Sequence, residues 1–104
     1  MPAHYQVRML PEASGNLIAI HEHIEKDSPQ NATAVARMLI DAIDSLEQFP
    51  HRYKVHRSAT DPDLVVRSMP VPPFIVYYRV DESDRVVEVM TVRHGSRRRP
   101  RRLG

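Results

Sequence analysis

Alternation opens the chain. Tyr5, Val7 and Met9 are apolar and Gln6 and Arg8 between them are polar, the period of two required of a strand with one buried face. The spacing predicts a strand over 4–10. Pro11 then pre-sets φ for a first helical position, and Ala13, Leu17, Ile20 and Ile24 recur at steps of four, three and four. That places one apolar stripe on a helix ending near Asp27. Ser28-Pro29 repeats the start signal, with a hydroxyl oxygen free to accept an amide hydrogen bond and a proline at the first helical position. A second stripe follows through Ala32, Val35 or Ala36, Leu39, Ile43 and Leu46, and closes at Phe49, because Pro50 disfavours helical geometry in the residue before it. Two amphipathic helices joined so tightly form an antiparallel hairpin.

Residues 51–63 keep no period and contain the turn signal Asp61-Pro62-Asp63, so they read as a loop with room for a short strand. Strand-like runs return over 64–69, 74–80 and 86–92, punctuated by Pro70, Pro72 and Pro73 and by turn residues at 81–84. The last two runs form a hairpin. The order is strand, helix, helix, strand, strand, strand (βααβββ), an α+β, two-layer domain in which the helical hairpin packs on a mainly antiparallel sheet. Along 74–80, Tyr77 shares its parity with Ile75 and is placed inward, with Tyr78 outward.

A chain of 104 residues has the size of one domain, with little room for a deep interior site, so function belongs on a surface or shallow groove. The absence of cysteine excludes a disulfide framework, a thiolate zinc site and a cysteine nucleophile. Residues 1–8 hold no signal-peptide run and no later segment is apolar enough to span a membrane, so a soluble, cytoplasmic protein without membrane contact is expected.

Charge is segregated. Residues 12–47 carry seven carboxylates against Lys26 and Arg37, whereas from residue 93 onward there are six arginines and no acid. Such polarity suits an acidic partner, nucleic acid or protein. The end, 97–104, reads as a flexible basic tail. His21 and Glu25 lie one helical turn apart, but further ligands are missing, so no metal and no cofactor are expected.

The combination Ala13, Asn16, Leu17, Ile20, Ile24, Ser28-Pro29, Ala32, Ile43, Leu46, Phe49-Pro50, followed by Arg67, Ile75, Tyr77, Val80, Val89, Val92 and His94-Gly95-Ser96-Arg97, resembles the ParE/RelE toxin family nearly end to end. Departures are Asn16, where the family more often has Asp, and the arginine-rich tail. The resemblance implies a toxin of a bacterial type II toxin-antitoxin system, neutralised by a cognate antitoxin whose extended C-terminal segment wraps it. A neighbouring reading frame acidic toward its C-terminus is the mark of such a pair. Operator DNA would be met only through the antitoxin complex. ParE-like members poison DNA gyrase, and RelE-like members cleave messenger RNA in the ribosomal A site.

Metal-independent RNA cleavage needs a base for the 2′ hydroxyl, a donor for the leaving oxygen and cations for the charged phosphorane. His94, Arg67, Arg79, Tyr77, Tyr78, Lys54 and His56 form the reservoir. RelE-like enzymes place a Tyr or His near the chain end, and here that stretch, 98–104, holds arginines, a proline, a leucine and a glycine. The reading therefore favours a gyrase-directed, non-enzymatic toxin with no assigned catalytic residue. In it Arg67, Arg79, Tyr78, Arg93, His94, Arg97 and Arg98 contact target or antitoxin, and Arg67, Arg79 and Arg97 gather on one open rim. On the nuclease alternative His94, Arg67, Arg79 and Tyr78 carry the chemistry; a degenerate toxin confined to operon autoregulation is the third reading. His94 is equally a sheet cap, and for Arg67 a buried ion pair with a helical carboxylate is the alternative to the favoured contact with antitoxin or target.

Overall fold

A computed structural model describes residues 4–57 and 65–95. Strand β1 (Gln6–Met9) leads into helix α1 (Pro11–Glu25) and helix α2 (Pro29–Asp44), followed by two single 3₁₀ turns, Ser45–Glu47 and Pro50–Arg52. Strands β2 (Lys54–Arg57), β3 (Val65–Val71), β4 (Phe74–Asp81) and β5 (Val86–His94) complete the elements of the described residues. The order is the predicted one, with the short strand allowed for in the loop realised as β2. Both start signals operate as read: Pro11 opens α1, and the Ser28 hydroxyl accepts a hydrogen bond from Asn31 N at 3.2 Å.

The five strands form one sheet in the order β1-β5-β4-β3-β2, antiparallel except for the β1–β5 pair. The helical hairpin lies on one face. Ala13, Leu39, Ile43 and Leu46 from the helical side meet Met69, Val71, Phe74, Val76, Tyr78, Val87, Val89 and Val92 from the sheet. Each valine, leucine, isoleucine or methionine among them contributes about 1.5–3 kcal/mol on leaving water. A bulge in β5 lets three valines share that face: Tyr78 opposes Val89 and Tyr77 opposes Thr91, leaving Met90 as the extra residue.

The burial of Tyr78, at 0 % exposure, reverses the sequence assignment of the two tyrosines. Phe74, Val76 and Tyr78 face the helices, whereas Ile75 and Tyr77 lie on the uncovered face. The run is apolar on both parities, so a shared parity with Ile75 carries no information. Arg79, in register with Tyr77 and exposed, marks the outward side. The fold is thus two layers thick, with an acidic helical layer over one face and the second sheet face open.

Candidate functional site

The open face is assembled by register. Lys54 opposes Ser68, Ser68 opposes Tyr77, Arg79 opposes Glu88, Glu88 opposes Arg8, and Ile75 opposes Arg93. Directly opposed residues point to the same side, so these side chains share the surface of Tyr77. Arg8, Lys54, Arg79 and Arg93 stand there against Glu88 and, near the β4–β5 turn, Asp81. Arg79 Nε donates to Glu88 Oε1 at 2.6 Å and Arg8 Nη1 lies 3.7 Å from Glu88 Oε2. Beside this row, His56 Nε2 is 2.8 Å from Ser68 Oγ, and the His56 ring meets Tyr77 edge-on at 6.2 Å between centroids.

The residues expected to act together are divided by the sheet. Arg79 and Arg93 belong to the open face, but Arg67 and Tyr78, directly opposed on β3 and β4, belong to the helix-covered face. His94 opposes Phe74 and packs against its ring at 5.3 Å, so it also stands on the covered side. The expected rim of Arg67 with Arg79 therefore does not form, because an odd step between registered strands puts them on opposite surfaces. Arg97 and Arg98 lie outside the described residues.

Arg67 and Tyr78 have structural work. Arg67 Nη1 donates to the carbonyl oxygens of His51 and Tyr53, both at 2.9 Å, instead of pairing with a helical carboxylate. The Tyr78 hydroxyl donates to Pro50 O at 2.5 Å. Burial pushes the Tyr78 phenol up to about 12, against the opposing pull of the Arg67 charge. A phenol held so tightly neutral is a poor proton donor or base near neutral pH.

Ser68, Arg8 and Glu88 are members of the open face that sequence reasoning passed over. Arg8 was legible, since it is the polar half of the opening alternation. Ser68 and Glu88 were not, because only strand register carries them to His56 and Arg79. His21 Nδ1 is 3.9 Å from Glu25 Oε1, and no group of three metal-ligating side chains converges among the described residues.

The family model described as ParE toxin of type II toxin-antitoxin system, parDE, matches residues 7–99. Toxin RelE2 of Caulobacter vibrioides is 36% identical over 85 residues, covering 82% of this chain and 89% of that protein. Putative toxin Y4kP of Sinorhizobium fredii is 31% identical over 98 residues, covering 94% and 96% of the two chains. In fold, the chain is similar to the chromosomal ParDE system from P. aeruginosa, with a TM-score of 0.69, 18% identity, and coverage of 88% of this chain and 97% of that one. It is also similar to the archaeal RelE-RelB complex from Pyrococcus horikoshii, with a TM-score of 0.63, 18% identity and coverage of 91% and 99%. Structures from both branches share the architecture, so the fold does not separate them. On the family match and the two relatives, the chain belongs to the ParE toxin family, within the ParE/RelE superfamily of type II toxin-antitoxin toxins.

Proposed function

We propose that this toxin acts in the cytoplasm by binding and poisoning DNA gyrase, and that a cognate antitoxin neutralises it by seating an acidic segment on the open sheet face. The observation that carries this reading is the separation of Arg79 from Arg67, Tyr78 and His94 by the thickness of the sheet. A nuclease needs its base, acid and cations within reach of one phosphate. A protein-binding toxin needs only a presented surface of matching charge and shape, and Arg8, Lys54, Arg79 and Arg93 supply that. The match of the ParE family model over residues 7–99 supports the same branch.

The test is inhibition of gyrase supercoiling by the purified protein, with accumulation of cleaved DNA. Unaffected gyrase at micromolar toxin overturns the reading.

One observation favours a second reading, ribosome-dependent cleavage of messenger RNA. His56, held by Ser68 beside Tyr77 and two residues along β2 from Lys54, places an imidazole among cations on the open face. Codon-phased messenger ends after induction, lost in His56→Ala, would establish it in place of the first.

A further inference from the structure

Phe49 is the most exposed large apolar side chain among the described residues, at 73 %, and its backbone is left-handed, with φ 52° and ψ 52°. A bulky side chain seldom adopts that conformation, and the ring gains nothing from the protein interior in return. The surrounding segment holds it there. Arg52 Nη1 donates to the carbonyl oxygens of Gln48 and Phe49 at 2.9 and 3.1 Å. Tyr78 fixes the Pro50 carbonyl, and Arg67 fixes those of His51 and Tyr53. Side chains from β3, β4 and the 3₁₀ turn thus tie down the backbone that presents one aromatic ring to solvent. Such pre-organisation lowers the entropic cost of using the ring as a contact.

Its neighbours define what it fits. Phe49 borders a shallow groove with Asp44, Ser45, Glu47, Gln48 and Arg52. Among the described residues neither Asp44 nor Glu47 has an ion-pair partner, and the Arg52 guanidinium is turned to the carbonyls and stacked 4.7 Å over the Tyr53 ring. What faces outward is an apolar ring beside two uncompensated carboxylates. We propose that Phe49 is the anchor with which the toxin grips its target protein, entering an apolar socket rimmed by lysine or arginine that Asp44 and Glu47 meet. An acidic antitoxin segment has the wrong sign for this corner and the right sign for the open sheet face, so the corner adds a contact made by the target alone, while the cationic open face is where antitoxin and target compete. The proposal rests on the reading of the chain as a toxin that acts on a protein.

Phe49→Gly tests it, because glycine suits φ 52° and the change removes the benzyl side chain without straining the backbone. The parent, Phe49→Gly and the double reversal Asp44→Lys/Glu47→Lys are compared for gyrase inhibition, growth arrest on expression, thermal midpoint and binding to the antitoxin encoded beside the toxin. Phe49→Gly is expected to need at least about tenfold more protein for half-inhibition, as removal of a binding hot spot does. It should keep its thermal midpoint and its antitoxin. Parent-like potency of Phe49→Gly overturns the anchor, and parent-like potency of the double reversal overturns the basic-rimmed socket. If the parent spares gyrase yet arrests growth, the gyrase reading falls, and the anchor stands or falls with growth arrest by Phe49→Gly. A parent that does not arrest growth overturns both.

Discussion

The Tyr78 hydroxyl donates to the Pro50 carbonyl oxygen at 2.5 Å across 28 positions of sequence, joining the middle of β4 to the turn that follows α2. Both groups are buried there. Arg67, opposed to Tyr78 on β3, holds the next carbonyls of that turn, so the two side chains first expected on a target surface act together as its anchors. The left-handed Phe49 precedes this turn, a conformation costing on the order of 1–3 kcal/mol, and these bonds sustain it.

Tyr78→Phe removes the bond and strands the Pro50 acceptor, so a loss of about 1 kcal/mol is expected at neutral pH by denaturant unfolding. The alkaline limb has a definite sign. With the phenol raised from 10.0 to about 12, the neutral form is favoured by folding. The stabilisation is complete below the unfolded value and disappears as pH rises through the folded one, worth roughly 2–3 kcal/mol over that window. The gap between parent and Tyr78→Phe should therefore close and then reverse, with Tyr78→Phe the more stable, as pH rises from 10 to beyond about 12. A constant gap across that window would be the contrary result.

Asn16 Oδ1 accepts from Thr91 Oγ1 at 2.8 Å and from Val92 N at 2.9 Å, pinning α1 to β5. Both bonds use the side-chain oxygen as acceptor, a role that an Asp carboxylate fills equally well. Asn16→Asp is expected to fold with parental stability or better. Asn16→Ala leaves the Val92 amide without its partner and should cost about 1–3 kcal/mol, read by chemical denaturation.

Gly15 lies inside α1, and a Cβ built there meets no atom within 4 Å. Nothing in the packing requires glycine. Gly15→Ala should raise stability by about 0.5–1 kcal/mol through helix propensity, seen as a higher thermal midpoint. Gly95 is the contrast: its Cβ would come within 3.1 Å of Pro73 O, so Gly95→Ala should lower the midpoint.

Arg79→Ala/Arg93→Ala should weaken target or antitoxin binding while leaving stability within about 1 kcal/mol, since Arg79 loses only an exposed ion pair and Arg93 is exposed. Arg67→Ala should instead lower stability by about 1 kcal/mol or more, because two turn carbonyls lose a charged donor. Affinity for the purified antitoxin and unfolding curves, measured on the same samples, separate the two effects.

Periodicity was sufficient for the elements and their order except β2, which forms in the stretch that keeps no period: the stripe from Ala13 to Ile24, the Ser28-Pro29 start and the alternation of Tyr5, Val7 and Met9 all reappear as read. These are local effects, written in the spacing of neighbouring residues. The candidate surface was legible only in part. Arg79 and Arg93 are on it, but the facing of β4 depends on which side the helices cover, and a run as apolar as Phe74 to Tyr78 is silent on that choice. Separating Arg67 from Arg79, bringing Ser68 to His56 and placing Tyr78 against Pro50 are consequences of strand register and of contacts many residues apart. Such pairings are decided by the packing of the whole domain, and so they come into view only with the tertiary structure.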